Sequence, residues 1–299
     1  RKKRTRARYR LLSIERDFNF VEKVVALHKH ADSRLWPVLA NQRCGSWYAH
    51  PLLSTALSPT TSCYFKSTDG HVGTWAFSLK RLNLQVLDVV SSCGGCFIVD
   101  ASKSKILPDS LSRTIPIWCA VINASVVHLA KQRGVEPDVA LWRDDPREFL
   151  FTPAEVISNE ERSEIWAKII DGLVSDFMAC GSIDVDWLLR TVKKPLRPYW
   201  ICNKGDAENV ELPRYDVNKY FCLVCISCSN PHTSRSDIPW YTAGAADDDE
   251  TCLRGLTPAL FWDNRETVIS DGGSDGDTDR NINMIVKQAQ KDDEEWYQH

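Results

Sequence analysis

A cation, two hydroxyls, an acid and an imidazole occur within six residues of this chain: Lys66, Ser67, Thr68, Asp69 and His71. Together these residue types can bind a phosphate and accept a proton. Gly70 separates the acid from the imidazole, and Thr-Asp-Gly is also a common turn sequence. Taken alone, the stretch therefore favours a surface turn.

Two more polar stretches follow a short apolar run, residues 96–99, that is predicted to be a buried strand. The first contains Asp100, Ser102, Lys103 and Lys105. Ligands of open α/β sheets bind beyond the carboxyl ends of strands, so this loop is a candidate phosphate cradle. The second contains Ser112, Arg113 and Thr114. An arginine and free amides at a helix start can bind phosphate, although an ordinary capped helix fits the same residues.

A run of four carboxylates, residues 247–250, follows the apparent strand Trp240 to Thr242. Such a run can hold Mg²⁺ through water and substrate oxygens, although acidic runs are usually solvated loops.

The chain lacks the specific motifs of several enzyme classes. It contains no Walker loop, no GxGxxG and no zinc-protease helix, and no cysteine precedes an arginine by six positions, as a cysteine phosphatase requires. The 11 cysteines are an odd number and follow no signal sequence, which favours free thiols in an intracellular protein. Cys222, Cys225 and Cys228 fall on a predicted strand, where side chains three apart face opposite ways, so they are not expected to bind zinc.

Hydrophobic periodicity predicts helices that alternate with short apolar strands. The predicted helices cover residues 11–30, 77–90, 115–131, 159–180 and 184–192, and one further helix begins at Thr257. Strands are predicted at residues 96–99, 197–202 and 219–228. This order predicts an α/β fold: a layered, mostly parallel or mixed sheet with helices on both faces. No apolar stretch is long enough to predict a membrane span.

The two ends of the chain carry opposite charge. Residues 1–10 hold seven Lys/Arg and no acid, whereas residues 236–299 hold 5 basic and 15 acidic residues. We therefore predict a basic arm (1–10), a globular α/β domain (11–266) and a flexible acidic linker or tail (267–299). The arm fits either contact with nucleic-acid phosphates or a solvated, nuclear-targeting tail.

Four long stretches of the chain resemble the fungal and plant initiator tRNA phosphoribosyltransferases. They are Asn41 to Tyr48 (NQRCGSWY), Tyr64 to Asn83 (YFKSTDGHVGTWAFSLKRLN), Gly94 to Asn123 (GGCFIVDASKSKILPDSLSRTIPIWCAVIN) and Tyr241 to Trp262 (YTAGAADDDETCLRGLTPALFW). The resemblance implies transfer of a 5-phosphoribosyl group from phosphoribosyl pyrophosphate to a ribose 2′-hydroxyl in the T stem of initiator methionine tRNA. It also implies Mg²⁺ and a cytoplasmic location, with a nuclear location as the alternative. The lack of a long apolar stretch predicts no membrane partner.

This chemistry needs a phosphate cradle, a divalent ion and a base. The base is expected among Asp69, His71 and Asp100, and Mg²⁺ is expected at Asp247, Asp248 and Glu250. Donor phosphates are assigned to Lys66, Ser67, Thr68, Ser102, Lys103, Lys105, Ser112, Arg113 and Thr114. RNA contacts are assigned to Arg1, Lys2, Lys3, Arg4, Lys193 and Lys194, with Arg190 and Arg197 nearby.

The chain departs from the family pattern in two ways. Family members carry a phosphatase-like C-terminal domain that this sequence does not contain, so the sequence is expected to be a fragment. The loop at Lys103, Ser104 and Lys105 has less arginine and lacks a glycine of the usual pattern. A non-catalytic tRNA-binding module is the alternative function.

Overall fold

The computed structural model describes residues 6–31, 34–42, 44–49, 62–134, 141–142, 145–205, 210–233, 237–247, 253–270 and 273–296. A four-stranded sheet lies at the centre, in the order β1-β2-β4-β3. All three pairings are parallel, and the strands are β1 (Val38–Ala40), β2 (Gly95–Asp100), β3 (Leu196–Cys202) and β4 (Phe221–Ser227). The predicted α/β class is confirmed.

The two central strands are buried on both faces, as expected for a parallel sheet. Every residue of β2 and β4 is buried. Alternate residues face opposite layers, so Cys222 and Cys228 join the core on one face while Cys225 joins the core on the other. The ten described cysteines are all free, which confirms the prediction of free thiols for them.

Helices from both ends of the chain cover one face of the sheet. They are α1 (Ala7–Ala31), α7 (Pro258–Asp263), α8 (Arg265–Val268) and α9 (Asp275–Trp296). The predicted capping hydroxyl of Thr257 accepts a hydrogen bond from the Leu260 amide at 3.2 Å. The apolar stripe of α1, which includes Leu11, Ile14 and Val21, is fully buried on this face.

The middle of the chain covers the other face. Its helices are α2 (Gln85–Cys93), α3 (Ile115–Gln132), α4 (Asn159–Ile165), α5 (Asp171–Ala179) and α6 (Val185–Thr191). A π-helical turn, Ser110–Thr114, leads into α3. Together they form a stretch, Ser110–Gln132, that is long and apolar enough to cross a membrane, but 89% of its most apolar window is buried. This environment is that of a core helix.

Two predicted elements are wrong. Residues 77–84 are not helical, because Asn83 has a positive φ of 52° and its side-chain Oδ1 accepts a hydrogen bond from the Tyr64 amide at 2.8 Å. A helix cannot continue through a left-handed residue. Trp240 to Thr242 is not a strand, because the segment joins none of the four strands of the described sheet. The buried Tyr241 instead donates its hydroxyl to Asp17 Oδ1 at 2.8 Å.

The predicted flexibility of the acidic end is also wrong for the described residues. Most of the segment forms α9, and Ile282 on that helix is fully buried. At the other end, α1 begins at Ala7, inside the predicted basic arm. Arg6 pairs with Asp275, and Arg8 Nη1 contacts Thr278 Oγ1 at 3.4 Å. The two charged ends therefore pack against each other, whereas Arg1, Lys2, Lys3 and Arg4 lie outside the described residues.

Candidate active site

Loops from four separate parts of the sequence meet at the carboxyl edge of the sheet. They surround a pocket of about 130 Å³, large enough for a phosphate or a single sugar ring. Its predicted members are Ser67, His71, Asp100, Ser102, Lys105 and Asp247, and its other members are Cys44, Ala101, Pro108 and Asp109. Three of the four polar stretches singled out from sequence therefore contribute residues to one pocket, whereas Ser112, Arg113 and Thr114 do not line it.

Asp100 connects the loops around this pocket. Its Oδ1 accepts from Cys44 Sγ at 2.9 Å and from the Ala101 amide at 2.8 Å. Its Oδ2 accepts from Asn41 Nδ2 at 2.7 Å and from Ser110 Oγ at 2.5 Å. Four donors fill the acceptor positions of a carboxylate. Burial raises the pKa of Asp100, and these hydrogen bonds oppose the rise.

The segment from Asn41 to Tyr48 positions the pocket. Asn41 also pairs with the backbone of Phe65 through both ends of its side-chain amide, at 2.8 and 2.9 Å. Burial, followed by the charge of Asp100, raises the pKa of the Cys44 thiol well above its usual value, so Cys44 remains a hydrogen-bond donor. The Tyr48 hydroxyl accepts from the Ala246 amide at 3.3 Å and so holds the turn that carries Asp247.

Asp109 is the second buried carboxylate at the pocket, and the side chains of His71, Lys105 and Arg113 face it. Its Oδ2 lies 2.5 Å from Lys105 Nζ and 3.6 Å from His71 Nε2. Its Oδ1 accepts from Arg113 Nη1 at 3.0 Å. Only 4% of the Asp109 side chain is exposed, whereas 57% of the His71 side chain is exposed. Asp109 therefore anchors His71 and Lys105 at the rim of the pocket.

Arg113 uses most of its donors within the protein. Both carboxylate oxygens of Glu161, on α4, accept hydrogen bonds from Arg113. Its Nε donates to Oε1 at 2.6 Å, and its Nη2 donates to Oε2 at 3.0 Å. Nη1 binds Asp109 and Ser112 Oγ. A phosphate contact by Arg113 would require these bonds to break. The arginine instead ties the π-helical turn to α4.

The hydroxyls predicted beside Arg113 also bind the protein backbone. Ser112 Oγ donates to the Pro108 carbonyl at 3.0 Å, and Thr114 Oγ1 donates to the Lys66 carbonyl at 3.0 Å. The turn that carries Asp69 packs closely here, since a Cβ on Gly70 would lie 2.8 Å from the Asp109 carbonyl oxygen. Neither hydroxyl is among the residues that line the pocket.

The other residues predicted for the site either lie away from the pocket or fall outside the described residues. Lys66, Thr68, Asp69 and Lys103 flank the pocket in sequence but do not line it. Lys193 and Lys194 precede β3 and so lie at the amino edge of the sheet, one strand length (roughly 20 Å) from the pocket edge. Asp248 and Glu250 lie outside the described residues. Within the described part of the chain, no three His, Cys, Asp or Glu side chains form a metal site.

Five site residues were missed from sequence: Asn41, Cys44, Asp109, Ser110 and Glu161. One signal was available, because Lys105, Asp109 and Arg113 are spaced four apart, a spacing that brings opposite charges together on a helix. Strand β1 has only three residues, so the position of Asn41 at a strand end was not apparent.

A comparison with protein families identifies the chain. A family model described as the Rit1 N-terminal domain matches residues 1–287. The chain belongs to the Rit1 family. This membership confirms the resemblance noted from the four sequence stretches.

Two curated relatives show how much of a Rit1 family protein is present here. The tRNA A64-2′-O-ribosylphosphate transferase of Saccharomyces cerevisiae is 32% identical over 283 residues, which cover 88% of this chain and 51% of that protein. An uncharacterised protein of Schizosaccharomyces pombe is 36% identical over 265 residues, covering 87% of this chain and 52% of its own length. The chain spans about half the length of these relatives. No solved structure matches it.

Proposed function

We propose that this Rit1 family chain transfers a 5-phosphoribosyl group from phosphoribosyl pyrophosphate to a ribose 2′-hydroxyl of initiator methionine tRNA. The name of the S. cerevisiae relative describes a transfer of this kind to tRNA. The observation that carries the proposal is the pocket at the carboxyl edge, which gathers hydroxyls, Lys105, His71 and Asp247 from separated loops. Open α/β sheets bind their ligands at this edge.

In the proposed reaction, the 2′-oxygen of the acceptor forms a bond with C1 of the donor ribose. The bond between C1 and the pyrophosphate oxygen breaks, and pyrophosphate leaves with the electron pair. The 2′-hydroxyl proton passes to a base. No net oxidation occurs, and the atoms of both substrates appear in the two products.

His71 is the best supported base of the three candidates. It lines the pocket, is open to solvent and lies beside the Asp109 carboxylate, which can orient its ring and stabilise its protonated form. Asp100 already accepts four hydrogen bonds. Asp69 does not line the pocket, although burial raises its pKa.

Lys105, Ser67 and Ser102 are the proposed contacts for a donor phosphate. The Ser102 hydroxyl accepts from the Lys105 amide at 3.2 Å, which holds this loop in a compact turn. Lys105 can exchange its contact with Asp109 for a phosphate oxygen, because its side chain is half exposed. The pocket itself is smaller than the whole donor, so only the reacting end is assigned to it.

Mg²⁺ is proposed together with the donor. Asp247 lines the pocket and is the described member of the predicted ligand set. When bound, the ion would supply positive charge to the leaving pyrophosphate. The initiator tRNA partner, a second domain related to phosphatases and a cytoplasmic location are further parts of this proposal.

A labelling experiment tests the function. The protein is incubated with unmodified initiator tRNA, labelled phosphoribosyl pyrophosphate and Mg²⁺. We expect label on a single T-stem nucleotide, equimolar release of pyrophosphate and no label on elongator methionine tRNA. Asp247→Asn should reduce incorporation by at least ~10-fold, whereas Asp263→Asn, on the exposed side of α7, should not. Binding of tRNA without incorporation would instead support the non-catalytic module.

A further inference from the structure

A second recess lies along the outer side of β3. This strand is at an edge of the sheet, and no other strand among the described residues pairs with its outer side. A groove of about 470 Å³ runs between β3 and the segment that leads into α4. Its lining includes Leu150, Phe151, Arg162, Arg197, Tyr199 and Tyr220.

Three aromatic rings hold Arg197 in the groove. The centre of its guanidinium lies 4.8 Å from the ring centroid of Phe151, 4.9 Å from that of Tyr199 and 5.0 Å from that of Tyr220. Among the described residues no carboxylate forms an ion pair with it. Its charge and its hydrogen-bond donors therefore remain available to an anionic ligand.

A second arginine faces the same groove from α4. Arg162 Nε donates to the Leu150 carbonyl at 2.7 Å, which fixes its side chain against the wall. Tyr199 and Tyr220 are each 6% exposed, so a base can reach only the partly exposed Phe151 among the three rings. An accessible aromatic ring beside arginines is a combination that binds unpaired nucleotides, because bases pack on rings while guanidinium groups contact phosphates. Glu148 also lines the groove, so the positive charge of the groove is confined to the surroundings of Arg162 and Arg197.

The groove is poorly suited to an added peptide strand. Such a strand needs a row of free backbone groups. Both backbone groups of Leu196 on the outer side already bind the Asn123 side chain. The Leu196 amide donates to Asn123 Oδ1 at 2.8 Å, and the Leu196 carbonyl accepts from Asn123 Nδ2 at 2.9 Å. Pro198 has no amide hydrogen to offer.

The groove continues towards the candidate active site. It shares Thr152, Ala154 and Trp200 with a cleft of about 570 Å³. Leu107, the neighbour of Pro108 in the pocket, also lines that cleft. A strand of RNA in the groove can therefore extend along the cleft to the pocket.

We infer that this groove binds unpaired nucleotides of the RNA substrate, with a phosphate bound to Arg197 and a base packed against the partly exposed Phe151. The identity of the RNA rests on the proposed function. The binding itself needs no donor and no transfer. It can therefore be measured when the labelling experiment fails.

The test is the affinity of the protein for unmodified initiator tRNA, without donor, over a range of salt concentrations. Arg197→Gln should weaken binding about 10-fold and lower the slope of log affinity against log salt by about one. The matched control is Arg280→Gln, since Arg280 is an exposed arginine on α9, and it should bind within about two-fold of wild type. Thermal unfolding of each variant checks its fold.

Cross-linking of the unaltered protein provides a measurement that does not depend on a variant. Transfer RNA carrying 4-thiouridine should cross-link to the peptides that contain Phe151 and Tyr220. Wild-type affinity and salt slope in Arg197→Gln, or cross-links confined to other surfaces, would overturn the inference. Either result would leave the edge of β3 to an occupant other than RNA.

Discussion

Buried carboxylates organise the candidate site at the level of single residues. Asp100 holds the loops together, and Asp109 gathers His71, Lys105 and Arg113. Both are nearly inaccessible to water. A buried carboxylate is costly unless donors surround it, so these two residues impose one arrangement on the segments that supply the donors. The more exposed His71 and Lys105 are left for chemistry.

Replacing His71 tests the proposed base. His71→Asn keeps a polar side chain but cannot accept the 2′-hydroxyl proton, so the single-turnover transfer rate should fall by about 10²- to 10⁴-fold. The affinity for tRNA and the thermal midpoint should stay near wild type, because the side chain is exposed. His128→Asn, at an exposed position of α3, is the control. A rate within two-fold of wild type would assign the base to another residue.

Asp17 of α1 gives the protein a predictable pH dependence. Burial raises the pKa of Asp17 well above its usual value, against the hydrogen bond from Tyr241. Its Oδ2 has no partner among the described residues. The favourable contribution of a carboxyl with a raised folded pKa is complete below about pH 4 and is lost as the pH rises through the folded pKa.

The variant Asp17→Asn should remove this loss while keeping an acceptor for Tyr241. The free energy of unfolding in urea should therefore become larger for the variant than for wild type as the pH rises above about 4. The difference should grow by up to ~1.4 kcal/mol per pH unit within the titration range. Glu22→Gln, which alters an exposed carboxyl on the same helix, should follow the wild-type curve. Parallel curves for Asp17→Asn and wild type would contradict the prediction.

At the level of elements, short turns bring the functional side chains together. The turn Ala245–Asp247 packs on the loop after β2, and Gly244 makes the contact possible. Gly244 has a φ of +58°, and a Cβ there would lie 2.6 Å from the Lys103 amide nitrogen. Any other residue must shift one loop away from the other.

Gly244→Ala should therefore displace Asp247 from the pocket. We expect the transfer rate to fall by about 10²-fold, because displacements of about 1 Å in an active site have effects of this size. The stability loss should be about 1–3 kcal/mol from the strained backbone. Gly181→Ala has open space around its Cβ and should change neither quantity appreciably. Normal transfer by Gly244→Ala would show that Asp247 is not needed at this position.

On the scale of the whole molecule, the two charged ends of the chain are part of one layer. Helix α9 lies against α1, and Arg254 pairs with Asp279 at 2.9 Å in addition to the contacts of Arg6 and Arg8. These pairs are partly exposed, so each is expected to contribute less than about 1 kcal/mol. The burial of apolar side chains, including Ile282, Ile285 and Val286, stabilises the contact more.

A pair of substitutions on α9 tests its place in the core. Ile282→Ala removes a fully buried side chain and should lower the free energy of unfolding by about 2–5 kcal/mol. Met284→Ala alters a side chain on the same helix that is 57% exposed, and it should change stability by less than about 0.5 kcal/mol. Equal effects in a denaturant titration would show that α9 does not pack on α1 in solution.

The amino-acid sequence by itself determined the α/β class, α3 and α6, the buried strand β4 and the family. Each follows from local information: the period of apolar residues, capping hydroxyls such as Thr257, and long matching stretches. Only the tertiary structure decided that Arg113 binds Glu161 and that the acidic end is a packed helix. Those outcomes depend on partners 48 or more residues away, and spacing along one chain does not reveal which distant partner a charge or an apolar face will meet.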